Sequence, residues 1–412
     1  MTSSPNASLN KGAIFFYTLA IVLGVANGLW GNTLTHELSD FISTVFIKLF
    51  KFVAIPLIAV TLITTLSKLS SSRESGRIFS RTLFYTLTTT VISATLAAML
   101  FLWLAPQNVG AVAPVDLPAA TQHSYLEYVK SVIPDNFITP FSTANVLSVL
   151  LIAVAVGLGI SKLPQNSAEQ NVLVSFFEGV QGVLFILVRA LIRVLPLGIF
   201  GFISGLFIEM QQGIEFSGLG TYFVTIVSAN LIQMFIILPL ILWSRGINPF
   251  ATFAAMFPAL MIAFFSKSSA GTLPVTMRCS EVNAKVHNKV AGFVLPVCTT
   301  INMNGCAAFI CVTVLYLMQN AGIEITGMMV VTWILVSTVA AVGNAGVPMG
   351  CFFLAASLLA GMNVPILLMG IILPFYAVID MIETSLNVWS DSCVAKLVDT
   401  DLRKMNSALL AS

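Results

Sequence analysis

Six apolar runs fall near residues 13–30, 42–66, 82–105, 146–161, 183–208 and 221–243. Each is close to the roughly 20 residues with which an α-helix crosses the hydrocarbon of a bilayer. No water is available there to pair with a backbone N–H or C=O, so such runs must close their hydrogen bonds inside helices. The expected class is therefore an all-α polytopic membrane protein. Composition agrees: 57% of the 412 residues are hydrophobic and only 9% are charged, against about 25% charged in a soluble domain. The first run, Ala13 to Trp30, follows Lys11 and imitates a signal peptide. It lacks a small-residue cleavage site and leads straight into further spans, so it is read as a retained helix.

Beyond residue 250 the apolar pattern is broken. A segment at 251–265 meets S-K-S-S-A-G-T-L-P at 266–274. A longer one at 290–318 is interrupted by T-T-I-N-M-N-G at 299–305. A third, 328–342, meets G-N-A-G-V-P at 343–348 and resumes to 360, and a last helix is expected from about 366 to 398. Broken backbone at membrane depth must sit inside protein or line a cavity. S-S-A-G-T-L-P and G-N-A-G-V-P each lie between apolar arms, and each reads as a hairpin that enters the membrane and turns back. A matched pair of interrupted segments points to a transporter site built from internal repeats. The count is then eight transmembrane helices and two re-entrant hairpins.

Charge tests this topology. With a cytoplasmic N-terminus, the inner loops hold Lys11, Lys68, Arg73, Arg77, Arg81, Lys162, Arg245, Arg278, Lys285, Lys289, Lys396, Arg403 and Lys404, and the outer loops hold only Lys130. Such asymmetry follows the positive-inside rule and puts both termini in the cytoplasm, with the chain in a plasma membrane or, in a bacterium, the inner membrane. Arg189 and Arg193, one turn apart, are read as cations snorkelling to the cytoplasmic interface. A net charge of +2 offers no surface to nucleic acid.

No phosphate-binding loop, nucleophile elbow or H-E-x-x-H motif is present, so the chain is not read as an enzyme, and a transporter of this kind runs on ion gradients. The six cysteines, at 279, 298, 306, 311, 351 and 393, form no C-x-x-C pair, and the three histidines lie far apart. They are read as ordinary helix thiols and loop imidazoles, with no disulfide framework and no zinc spacing.

The chemistry concentrates on the last helix. Asp380, Glu383, Thr384, Asn387 and Asp391 project at about 0°, −60°, +40°, −20° and +20° for 100° per residue, one stripe on one face. An acid at the centre of a span costs about 2.5–3.5 kcal/mol on insertion scales. Three on one face require cations: a substrate ammonium, Na⁺ or H⁺. Asn302 and Asn304, with the unwound carbonyls of their break, are hard oxygen ligands suited to Na⁺. Half-helix N-termini after each hairpin tip offer N–H groups to a carboxylate. A cavity with carboxylate binders at its tips and acids on its floor fits a zwitterionic amino acid moved together with a cation.

In order and spacing, S-S-A-G-T-L-P-V-T-M-R, T-I-N-M-N-G, G-N-A-G-V-P and D-M-x-x-T-x-x-N-x-x-x-D resemble the dicarboxylate/amino acid:cation symporter family, which includes the glutamate transporters. K-x-x-A-I-P-L-I at 51–58 and P-x-x-x-x-x-P-F-x-x-x-N-V at 134–146 extend the resemblance over nearly the whole chain. It implies a homotrimer in which a mobile transport domain moves like an elevator against a static scaffold. Residues 1–76 and 111–214 would be scaffold, with helices 1, 2, 4 and 5. Residues 77–110 and 215–412 would be transport domain, with helices 3, 6, 7, 8 and both hairpins. By motif, Asp380 would hold the substrate ammonium, and Asn387 and Thr384 its α-carboxylate, helped by the backbone at Ser269 and Val347. One Na⁺ would lie at Asp391 with backbone of Cys298, Asn302 and Asn387, and a second on backbone of Thr300 and of 341–344.

Three departures from the family pattern bear on the cargo. Glu383 stands where members with acidic substrates carry arginine, and Cys306 stands where they carry threonine. Two like charges about 4 Å apart repel by roughly 4 kcal/mol at an effective dielectric of 20, so an ionised Glu383 excludes glutamate and aspartate. The expected cargo is small and neutral: serine, threonine or alanine. A cationic side chain is the other partner Glu383 could take, and a Glu383 neutralised by protonation or by Lys267 would readmit dicarboxylates. Third, Asn304 replaces the carboxylate of a third Na⁺ site whose companions would be Tyr85, Thr88 and Thr89, which predicts two Na⁺ per cycle. Alternatives are H⁺ coupling, a glutamate/aspartate or C4-dicarboxylate symporter, and a passive channel.

Overall fold

The computed structural model describes residues 11–67, 73–109, 133–143, 146–164, 167–211, 217–342, 344, 349–362, 364–365 and 367–411. Every regular element among them is a helix. In chain order these are α1 (Lys11–Trp30), α2 (Thr33–Ser67), α3 (Arg73–Leu104), α4 (Thr139–Ser142), α5 (Val146–Ser161), α6 (Ala168–Gln211) and α7 (Ser217–Ile232). There follow α8 (Leu238–Ser244), α9 (Pro249–Ser266), α10 (Ser269–Arg278), α11 (Asn288–Ile301), α12 (Asn304–Asn320), α13 (Gly327–Val342), α14 (Gly350–Gly361) and α15 (Leu367–Ala411). A π-turn, Gln233–Ile237, joins α7 to α8, and a second, Cys279–Asn283, closes α10.

Among the described residues, four helical stretches are long and apolar enough to cross a membrane: Ile78–Leu104, Gly218–Ser244, Pro249–Ser266 and Asn288–Asn320. Shorter apolar helices include Thr18–Trp30, Leu151–Ser161, Pro196–Gly205, Gly327–Val342 and Gly350–Ala360. Helix α6, at 44 residues, and α15, at 45, would each exceed 60 Å at 1.5 Å per residue, about twice the hydrocarbon thickness. Arg193 on α6 is exposed.

Helix α2 packs against α5 and α6, and α1 against α6. Helix α12 is the hub of the remainder. It touches α3, α7, α13, α14 and α15, and residues 301–318 are buried without exception. This accounts for a chain break there: the backbone opens at Asn302 (φ −102°, ψ 70°) and Met303 (φ −109°, ψ 68°), where protein rather than lipid surrounds it.

Both arms of the first interruption are capped by their own sequence. Asn248 accepts from Ala251 N at 3.1 Å with Pro249 in the first turn, and Ser268 accepts from Gly271 N at 3.0 Å, each satisfying one orphan donor of a helix start. Lys267 between them takes a left-handed φ of 54°. Helices α9 and α10 lie against each other and against α15. At the second interruption α13 and α14 both pack on α12. Val347, expected to offer backbone to the substrate, lies outside the described residues.

The final helix runs past its expected end at 398 to Ala411. There Asp401 pairs with Arg81 and lies 3.8 Å from Arg245, while Asp399 pairs with Arg403 at 2.9 Å and accepts from His287 N at 3.2 Å. Arginines of α3, of the end of α8 and of α15 itself are thereby gathered at one end of α15.

Candidate substrate and ion site

Asp380, Glu383, Thr384, Asn387 and Asp391 are all buried on α15, no more than 4% exposed. Of their apolar neighbours, Ile379, Leu386 and Val388 are buried and Met381 and Ile382 half-buried, so the helix is enclosed on every side from Glu383 to Ala395. Two polar clusters form along it.

The first joins α15 to the restart of α12 and to α14. Asp380 Oδ2 accepts from Met349 N at 3.1 Å, where the chain enters α14 with a left-handed φ of 66°. Asn387 Oδ1 accepts from Gly305 N at 2.9 Å, and its Nδ2 donates to Cys306 Sγ at 3.4 Å. Thr384 Oγ1 donates to Asp380 O within the helix at 2.7 Å. Tyr376 Oη donates to Glu383 Oε2 at 3.0 Å, and Glu383 Oε1 is buried with no hydrogen-bond partner. Glycine at 305 permits this approach, since a Cβ there would stand 2.8 Å from Glu383 Cα and 2.9 Å from its Cβ. Among the described residues no Lys or Arg forms an ion pair with Asp380, Glu383 or Asp391. Ser269 is buried at the capped start of α10.

One expectation is corrected here. Cys306 and Cys351 are joined as a disulfide, with Cα atoms 5.3 Å apart and 45 residues between them in sequence. The pair brings a helix start on α12 to one on α14, a meeting that short-range cysteine spacing cannot register. The other four cysteines are free and buried.

The second cluster lies about two helical turns further along α15. Asn302 Nδ2 donates to Asp391 Oδ1 at 2.9 Å and to Ser390 Oγ at 2.9 Å. Asn304 Nδ2 donates to Asn302 Oδ1 at 3.0 Å and Ser390 Oγ at 2.7 Å. Thr89 Oγ1 donates to Asn302 Oδ1 at 3.2 Å, and Ser93 Oγ to Asn304 O at 2.8 Å. Gln233, in the π-turn after α7, donates to Asn304 Oδ1 at 2.9 Å and Thr89 O at 3.2 Å. Such a bulge re-aims a side chain out of helical register. Sequence reading missed Gln233 and Ser390. The i−1 offset of Ser390 from Asp391 was the available signal for the second, and nothing local marked the first.

Of the expected third-site companions only Thr89 reaches Asn304. Tyr85 Oη instead donates to Asp401 Oδ2 at 2.7 Å, beneath the Arg245 guanidinium, 5.7 Å from the ring centre. Thr88 is half-buried. Cys298 O accepts the last helical bond of α11 from Asn302 N at 2.8 Å, and Thr300 Oγ1 donates to Val297 O at 2.8 Å. Below the break, then, α11 presents its carbonyl end, and above it α12 presents N–H groups to α15.

Residues 14–401 match the profile of the sodium:dicarboxylate symporter family. The chain belongs to that family. Excitatory amino acid transporter 3 of Oryctolagus cuniculus is 27% identical over 96% of this chain and 87% of the relative's length. Neutral amino acid transporter B(0) of Homo sapiens is also 27% identical, over 96% of this chain and 81% of its own length. An excitatory amino acid transporter of Caenorhabditis elegans is 33% identical over 68% of this chain and 54% of its own length. This sodium:dicarboxylate symporter family member is thus a membrane transport protein and not an enzyme, and family membership implies coupling to sodium.

Proposed function

We propose that the protein is a secondary active symporter that carries a small neutral amino acid bearing a side-chain hydroxyl, serine or threonine, inward with Na⁺. The carrying observation is Glu383 Oε1, a buried carboxylate oxygen with no donor. A substrate hydroxyl supplies that donor, whereas a substrate carboxylate would face it with like charge. Removing one partner from a buried polar pair costs about 1–3 kcal/mol, more when the group is charged, which favours serine over alanine.

In this reading Asp380 takes the ammonium group. Asn387 and Thr384 take the α-carboxylate, with the backbone at Ser269 and Val347, and Asn387 Nδ2 exchanges its contact with Cys306 Sγ for the substrate. One Na⁺ lies at Asp391 with carbonyls of Cys298, Asn302 and Asn387. A second lies on carbonyls of Thr300 and of the end of α13. Asn304 does not hold a third, because its amide N–H groups already point at Asn302 Oδ1 and Ser390 Oγ, oxygens that a cation would need. Two Na⁺ accompany each substrate. Residues 77–110 and 215–412 move as an elevator against 1–76 and 111–214, in a homotrimer of the plasma membrane with both termini cytoplasmic.

The test is uptake of radiolabelled serine into proteoliposomes under an inward Na⁺ gradient, with cold threonine, alanine, lysine, glutamate and aspartate as competitors. Na⁺-dependent uptake blocked by threonine, less by alanine and not by glutamate is the expected result. Block by glutamate or aspartate overturns the neutral assignment. Uptake driven by a proton gradient alone overturns the sodium assignment, and non-saturable flux would make the protein a channel.

A further inference from the structure

The Cys306–Cys351 pair does not stand alone. Sulfur atoms of both residues and a carboxylate oxygen of Glu383 lie within 4.8 Å of one another, all three residues buried. Among the described residues this is the one cluster of three metal-ligating side chains. The three come from three different elements: the first turn of α12, the first turn of α14 and the middle of α15. Asn344 Nδ2 donates to both sulfurs, at 2.9 Å to Cys306 and 3.2 Å to Cys351, and Asn387 Nδ2 adds a third contact at 3.4 Å. Such N–H donors favour charge on sulfur. Glu383 Oε1 remains without a partner.

We propose that, with the two sulfurs reduced, Cys306, Cys351 and Glu383 form a binding site for a thiophilic divalent cation of the Zn²⁺ class, and that its occupation ties α12, α14 and α15 together and stops transport. Two thiolates and a carboxylate are a donor set that suits Zn²⁺. In a tetrahedral site with Zn–S of about 2.3 Å and Zn–O of about 2.1 Å, ligand atoms stand about 3.5–3.8 Å apart. The 4.8 Å cluster therefore needs only small side-chain rotations, and the Cα separation of 5.3 Å leaves the sulfurs room to part. Binding releases both thiol protons to water as the two metal–sulfur bonds form, with no change of oxidation state, and leaves the fourth position to water. The disulfide form offers no thiolate and is insensitive to the metal. Blocking rests on the transport reading above, but binding does not, so the two are measured separately.

Binding is read on the purified, amino-acid-free protein after reduction with a phosphine and removal of metals. Cd²⁺ is the probe, through its ultraviolet thiolate absorption, followed by displacement with Zn²⁺. One equivalent is expected to develop the band, the oxidised protein to show none, and Cys351→Ser to weaken binding roughly 100-fold or more. Cys279→Ser, remote from the cluster, is expected to bind as the parent does. If Cys351→Ser is not monodisperse, Cys351→Ala takes its place. In proteoliposomes, micromolar Zn²⁺ is expected to cut uptake by the reduced protein more than 10-fold and a chelator to restore it. No band in the reduced parent, or an equal band in Cys351→Ser, overturns the site. A normal band with unaffected uptake overturns the block alone.

Discussion

The two polar clusters on α15 are about two helical turns apart and are satisfied in opposite ways. Around Asn302 and Asn304 the donors are spent within the protein: two amides and three hydroxyls, with Gln233 reaching in from the π-turn, bond one another and Asp391. Among the described residues of this cluster, Gln233 Oε1 is a buried oxygen left without a partner. Around Glu383 a carboxylate oxygen is buried and unpaired, and among the described residues no Lys or Arg pairs with Asp380 or Glu383. An unpaired charged acceptor is the costlier defect. The closed cluster joins helices across a broken backbone beside the carboxylate to which a Na⁺ is assigned above, and the open one leaves an acceptor for a substrate group.

Changes in the open cluster should have the largest effects. Asp380→Asn removes the group assigned to the ammonium and is expected to lower uptake more than 100-fold while the protein stays monodisperse. Retention of even a tenth of the parent rate would move the ammonium site elsewhere. Glu383→Arg should abolish serine uptake and confer uptake of aspartate, since a like charge that repels by about 4 kcal/mol at an effective dielectric of 20 is replaced by an attraction. Aspartate uptake no better than the parent's would show that Glu383 does not select the side chain. Gly305→Ala places a Cβ 2.8 Å from Glu383 Cα, a backbone clash that cannot be relieved by rotating a side chain. Overpacking of this kind costs about 1–3 kcal/mol, and a fall of several degrees in melting temperature is expected, with serine affinity falling as well.

In the closed cluster the expected effect is of another kind. Asn304→Asp substitutes a carboxylate for an amide among acceptors at Asn302 and Ser390, and a cation becomes the natural partner. The Na⁺ dependence of uptake should steepen, and reversal potentials should move from two toward three Na⁺ per substrate. An unchanged stoichiometry would mean that Gln233 keeps the cavity closed by itself.

The helical class, the breaks after Ser266 and at Asn302, and the spacing of the buried acids were legible because each has a local signature. Apolar runs, Ser/Gly/Asn/Pro interruptions and 100° spacing are properties of neighbouring residues. What stayed hidden depends on distant parts of the chain meeting. Cys306 finds Cys351 from 45 residues away, and Gln233 reaches Asn304 because a π-turn re-aims it. Asp401 draws Tyr85 and Arg81 down from α3, beyond the point where charge counting treated the tail as a loop.

Tyr85 and Thr89 provide the smallest and sharpest comparison, because they lie one helical turn apart on α3 and the resemblance assigned both to one ion site. Thr89 bonds Asn302 at 3.2 Å, and Tyr85 bonds Asp401 at 2.7 Å. Asp391 and Asp401 are ten residues apart on α15, about 15 Å along the axis. Tyr85→Phe should therefore leave the Na⁺ dependence unchanged. It removes one hydrogen bond from a carboxylate that Arg81 and Arg245 still hold, a loss of about 1 kcal/mol seen as a slightly lower melting temperature. Thr89→Ala frees a lone pair on Asn302 Oδ1 and opens the cluster next to Asp391, so its effect should fall on Na⁺ affinity rather than on melting. If Tyr85→Phe instead weakens Na⁺ activation as much as Thr89→Ala does, both residues serve one ion site, and the Asp401 contacts and the closed cluster are a single functional unit.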